Sequence, residues 1–123
     1  SLDGNGIEKN IKKIDKNEMI LDIGTKTLLS IEKIINNSKT ILWNGPAGYF
    51  ENENFSNGTI SIAKKISHET IKNSLISIVG GGDTISAIKS IDLPINFTHL
   101  STAGGAFLEY IEGKNLPGIE VLK

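Results

Sequence analysis

Three times in 123 residues, a short apolar run ends in a glycine-bearing loop and gives way to apolar residues at helical spacing. Thr40-Ile41-Leu42-Trp43 reads as a buried strand and runs into Asn44-Gly45-Pro46-Ala47-Gly48; Ile60, Ala63, Ile66 and Ile71 then mark a helix from Thr59 to Lys72. Leu75-Ile76-Ser77-Ile78-Val79 runs into Gly80-Gly81-Gly82 and a helix over Asp83 to Ile91. Phe97-Thr98-His99-Leu100 leads through Ser101-Thr102-Ala103-Gly104-Gly105 into a last helix carrying Phe107, Leu108 and Ile111. This alternation predicts an α/β fold, a parallel sheet with flanking helices built from three Rossmann-like βα units with right-handed crossovers. Ligands of such sheets bind beyond the carboxyl ends of the strands, where all three loops fall. Three strands make a thin sheet, and parallel sheets need both faces covered. Either residues 1–23 add a strand or something else completes the sheet, and the second is the expectation here.

Ahead of the first unit, Leu28, Ile31, Ile34 and Ile35 predict a helix from Thr25 to Asn37, preceded by Met19-Ile20-Leu21-Asp22-Ile23-Gly24 as a strand end or tight turn. Residues 1–18 are polar, with Ile7, Ile11 and Ile14 fitting a surface strand or a poorly ordered arm. A net charge of −1 gives no electrostatic footprint for nucleic acid. The absence of cysteine rules out disulfides, thiolate metal sites and thiol catalysis. No apolar run approaches membrane-spanning length and no secretory signal pattern opens the chain, so a cytoplasmic location is expected. All 13 basic residues are lysines.

Gly80-Gly81-Gly82-Asp83-Thr84 carries the most chemistry. A strand that re-emerges as a helix leaves N–H groups aimed at one spot, with the positive end of the helix dipole behind them, which suits a phosphate. Asp83 and Thr84 could serve an accompanying magnesium ion. The alternative is a tight turn with Asp83 as N-cap, although one glycine would suffice for that. Neither the P-loop pattern nor the dinucleotide fingerprint G-x-G-x-x-G is present. In Trp43-Asn44-Gly45-Pro46-Ala47-Gly48-Tyr49-Phe50-Glu51, Trp43 reads as core. The Asn44 amide could reach a phosphate or make an Asx-turn. Pro46 and Tyr49 offer flat apolar surface for a base, and Glu51 is either a ribose acceptor or a solvated carboxylate. His99 reads as a satisfied core histidine, His68 as a surface residue, and Glu109 and Glu112 as solvated.

Five strings together resemble the phosphoglycerate kinase family: Leu21-Asp22-Ile23-Gly24-Thr25-Lys26-Thr27, Trp43 to Glu51, Gly80 to Thr84, His99 to Ala106, and Glu112-Gly113-Lys114-Asn115-Leu116-Pro117-Gly118. They stand in the family's order and span nearly everything after Met19. The resemblance implies the exchange of a phosphoryl group between 1,3-bisphosphoglycerate and ADP, giving 3-phosphoglycerate and MgATP. Residues 1–123 then read as the C-terminal portion of the nucleotide-binding domain of a monomeric, two-domain glycolytic enzyme. By analogy Leu21, Pro46 and Tyr49 border the adenine, Glu51 holds the ribose, and Asn44 contacts the phosphates. Gly80 belongs to the nucleotide site, Gly81 and Gly82 offer amides to the moving phosphoryl group, Asp83 binds Mg2+ with Thr84 beside it, and Gly104 opens a helix facing the reaction centre.

Ile20 stands where the family has glycine beside the base, Thr25 replaces a proline, Tyr49 a valine and Ala103 a glycine. Nothing matches the family's glycerate-binding arginines and histidines or its transfer-zone lysines, which lie in the missing N-terminal part. The bisphosphoglycerate or 3-phosphoglycerate therefore binds only with that part, and the chain alone is expected to be inactive. The alternative is a standalone remnant that binds nucleotide or a partner without catalysis.

Overall fold

A computed structural model describes residues 1–122. The chain forms α1 (Thr25–Asn36), β1 (Thr40–Asn44), α2 (Asn57–Asn73), β2 (Ile76–Gly80), α3 (Gly82–Lys89), β3 (His99–Ser101), α4 (Gly105–Ile111) and α5 (Pro117–Glu120), with 3-10 turns at Ile11–Lys13 and Glu53–Phe55. The strands pair in the order β1-β2-β3, all parallel. Both crossovers step in one direction, so right-handed connections lay α2 and α3 on the same face, where they touch each other.

The helices cover that face largely from residues the spacing had singled out. Leu28 and Ile35 of α1, Ile62 and Ile66 of α2, and Leu75 form the buried cluster, with Ile41, Trp43 and Phe97 packed against it. Full burial of each large aliphatic is worth about 1.5–3 kcal/mol. Ile71, expected on the stripe, is instead exposed, and Ile62 takes its place. Trp43 is half-buried, its ring tilted against Phe97 with centroids 6.4 Å apart and its Nε1 donating to the Gly45 carbonyl at 2.8 Å. The polar residue of the second apolar run also has a structural use. Ser77 is fully buried, its hydroxyl 2.9 Å from that of Thr70 on α2 and accepting the Thr98 N–H at 3.0 Å. Helix, central strand and third strand are thus joined through one hydroxyl.

Two expectations are corrected here. β1 is not a buried strand: its residues alternate between exposed and half-buried. It lies at the sheet edge, and among the described residues the sheet's second face stays open at Leu42 and Ile76, 42% and 48% exposed, while the Phe107 ring of α4 approaches that face at Gly80. His99 is not a core histidine. Register places it opposite Ile78, on that same open face, and it is exposed. Residues 1–23 contribute no strand, so the thin sheet is not completed from within the described residues. The segment instead runs along the loops. Asn52 donates to the Leu2 carbonyl at 2.8 Å, and the Glu8 carboxylate accepts from the Thr25 N–H at 2.9 Å and hydroxyl at 2.8 Å at the start of α1.

At the far end of α2, the nearly buried Glu69 accepts from Lys65 at 2.7 Å and from the Asn73 amide. The Lys65 ammonium first, then the Asn73 amide, hold its carboxyl below the ordinary value of 4.5 despite burial. A folded-state pKa depressed below the unfolded one adds stability above the unfolded value, which is lost as pH falls through the folded one. Glu69→Gln should therefore flatten the acid side of the stability–pH curve below pH 4.5, measured by urea denaturation, and leave its neutral-to-alkaline shape unchanged. Ile66→Ala should cost about 2–5 kcal/mol by the same measurement.

Candidate functional site

Parallel register sets the site. Asn44 pairs with Gly80 and Gly80 with Ser101, so the strands end level on one rim. The loops that follow are bonded to one another there. The Gly45 N–H donates to Thr84 Oγ1 at 2.7 Å, and the Trp43–Gly45 bond tightens the same turn. Around Gly80, the position of a missing Cβ lies 3.6 Å from the Phe107 ring of α4 and 3.7 Å from Ser101. All three expected loops therefore meet at one edge of the sheet.

The triple glycine has a separate reason at each position. Gly80 is buried between its strand neighbours. Gly81 is the N-cap of α3 with φ +94°, and a Cβ on it would collide with Asn44 Oδ1. Only glycine takes that backbone freely while admitting the asparagine. Gly82 faces open space, with nothing within 4 Å of a Cβ position. No side chain caps α3, so its first N–H groups are directed to that space. Asp83 is not the N-cap of the alternative reading. It is exposed in the first turn, one residue inside the helix. Thr84 is fully buried and its hydroxyl is taken up by Gly45. Gly104, at φ +56°, is the uncapped start of α4.

Beside the rim lies an open cleft of about 250 Å³ lined by Ile20, Leu21, Asp22, Ile23, Pro46, Ala47, Gly48 and Tyr49. It brings Leu21, Pro46 and Tyr49 together, as the apolar residues of the two motifs implied. Its size, just under the roughly 300 Å³ of the smaller ligand pockets, suits one planar ring system. Glu51 is exposed in the following turn, outside the lining residues. The two walls are tied by the Tyr49 N–H donating to the Leu21 carbonyl at 2.7 Å.

Two residues that hold the cleft had drawn no attention in the sequence. Asp22 accepts the Gly58 N–H of α2 at 2.9 Å, and Thr59, buried on the same helix, accepts the Ala47 N–H at 3.0 Å. A lone aspartate between Leu21 and Ile23 was the available signal for the first; Thr59 has no local signal. His68, Glu109 and Glu112 are exposed, as expected. Among the described residues, no three His, Cys, Asp or Glu side chains gather as a metal cluster. A magnesium ion carried on phosphates needs only one or two carboxylates, so Asp83 at the mouth of an uncapped helix fits that mode.

The family model for phosphoglycerate kinase matches residues 3–114. The phosphoglycerate kinase of Bartonella tribocorum is 48% identical over 112 residues, covering 91% of this chain and 28% of that protein. That of Buchnera aphidicola subsp. Schizaphis graminum is 52% identical over 110 residues, 89% of this chain and 27% of the relative. Among solved structures, phosphoglycerate kinase from Coxiella burnetii superposes with a TM-score of 0.86 at 44% identity, over 100% of this chain and 31% of that one. The enzyme from Pyrococcus horikoshii OT3 gives 0.72 at 36% identity, over 85% and 24%. The chain thus spans under a third of the length of the curated relatives it matches.

Gly81→Ala should destabilise the chain by about 1–3 kcal/mol, the cost of a strained backbone position, before any displacement of Asn44 is counted. Gly82→Ala, with open space before it, should leave the melting temperature within about 2 °C of wild type. Thermal denaturation of the two variants measures the contrast.

Proposed function

The chain belongs to the phosphoglycerate kinase family, and from that premise we propose that it carries the nucleotide and magnesium side of the phosphoryl transfer between 1,3-bisphosphoglycerate and ADP. The observation that carries the proposal is the shared rim. An uncapped helix start with open space before Gly82 lies on the same edge as a cleft the size of a base.

In this reading the adenine enters between Leu21, Pro46 and Tyr49, and Glu51 accepts from the ribose hydroxyls at the cleft's mouth. The phosphates extend towards Asn44 and the α3 start, where Gly80 clears the way and Gly81 and Gly82 donate their N–H groups. Gly104 offers the second uncapped helix start to the transferred group. Thr84 acts from behind, holding the Gly45 turn in place. Asp83 would hold magnesium together with the nucleotide phosphates, and that ion would neutralise charge on the transferring group. A cytoplasmic location fits a cysteine-free chain in which no described helix is long and apolar enough to cross a membrane.

Phosphoryl transfer depends on positioning and on cationic charge around the moving group. The segments 44–48, 80–84 and 101–105 contain no lysine, and the chain contains no arginine. A helix N-terminus contributes at most about 2 kcal/mol towards an anion, against the roughly 8–23 kcal/mol or more that enzymatic rates require. Turnover therefore needs groups outside these residues.

Calorimetry with MgADP tests the binding half of the proposal. A Kd below about 1 mM is expected, and Asp83→Ala should weaken it about tenfold or more, the scale of one charge-assisted contact. An unchanged magnesium requirement in that variant would remove Asp83 from its role, and no binding by the parent chain would end the nucleotide reading. A coupled assay for ATP formation with the chain alone should show no turnover; rates of an ordinary enzyme would overturn the claim of dependence.

A further inference from the structure

We infer that Asp22 is a positioning residue for the base cleft, fastening its wall to the start of α2, an inference that rests on the nucleotide reading. The carboxylate spans two elements. Oδ1 accepts the Ile23 N–H at 2.8 Å at a bend in the chain, while Oδ2 accepts the Gly58 N–H at 2.9 Å. Gly58 lies in the first turn of α2, where unsatisfied N–H groups and the helix dipole favour an anion. The same helix carries Ile62, Ala63 and Ile66 into the core, so the attachment point is rigid.

Room for this carboxylate has been made on two sides. A Cβ on Gly48 or on Gly58 would run into Asp22 Oδ1. Neither glycine has a positive φ, so neither is required by its backbone. At Gly58 the carboxylate is the nearest obstacle, with Ile23 Cγ1 behind it, and at Gly48 it shares the space with the Phe55 carbonyl. The opposite wall is held to the next residue of the helix, through Thr59 Oγ1 and the Ala47 N–H at 3.0 Å. The Leu21–Tyr49 backbone bond then joins wall to wall. The width of the cleft is therefore set by the first turn of α2 acting through two side chains, and Asp22 is the one bearing charge.

Such a role separates the two ends of a nucleotide. Loss of Asp22 loosens the cleft that would take the base and leaves the α3 start untouched. A merely structural role would weaken both ends together. Calorimetry with MgADP and, separately, with magnesium tripolyphosphate reads the difference. Asp22→Ala should raise the Kd for MgADP about tenfold and leave that for tripolyphosphate within about twofold. Asp22→Asn, which keeps an acceptor for one N–H, should recover most of the loss. If Asp22→Ala fails to fold, Gly58→Ala, whose methyl group meets the Asp22 carboxylate and, beyond it, Ile23 Cγ1, should weaken MgADP and spare tripolyphosphate in the same way. Equal loss of both ligands in the folded variants, or MgADP binding unchanged in Asp22→Ala, overturns the inference and leaves the nucleotide reading standing. A wild-type chain that binds tripolyphosphate but shows no gain from the adenosine of ADP overturns both.

Discussion

Among the described residues β2 is the one strand hydrogen-bonded on both sides, and its parallel pairing governs everything at the rim. Parallel register leaves no freedom about which residues end level. Once Ile76 lies opposite Thr40, Asn44 must lie opposite Gly80, and Ser101 follows from the pairing of Ile78 with His99. Chain direction then delivers every loop to the same edge. Antiparallel pairing of β1 with β2 would have sent the Asn44 loop and the triple glycine to opposite ends of the sheet. The β1–β2 and β2–β3 ladders, closed from one side by the core around Ile66, are what make a site of residues spread from 21 to 104.

Much of this was legible in the letters, for identifiable reasons. Apolar runs of four or five residues closed by glycine and followed by helical spacing admit few folds, and each of the three strands lies within two residues of its expected place. The three successive glycines read as room for a ligand, whereas Gly81 also answers to its own backbone and to Asn44, a partner 37 residues earlier. What failed to show depended on neighbours distant in sequence. His99 and Leu42 belong to good strand patterns, but alternation alone does not say which face a helix will cover. Thr84 looked free to meet a ligand because nothing local announces that its hydroxyl is taken by Gly45, 39 residues earlier. Asp22 passed as one letter of a motif for the same reason, its partner being 36 residues away.

The departures from the family pattern take on physical meaning in the cleft. Ile20 and Tyr49 both line it, one on each wall, where the family has glycine and valine. Both add apolar area and both narrow the opening. The Tyr49 N–H bond to the Leu21 carbonyl joins the backbones of the two walls that carry these side chains. In the nucleotide reading proposed above, the Tyr49 ring would either stack on the base or occupy its place.

The bare side of the sheet has a consequence for how this chain associates. The outer edge of β1 lacks a ladder, and the same strand turns Leu42 towards the uncovered face, where Ile76 follows beside it. Backbone bonding capacity and oily surface thus run along a common border. Any cover that dehydrated Leu42 and Ile76 would therefore also have to meet the unpaired backbone groups of β1.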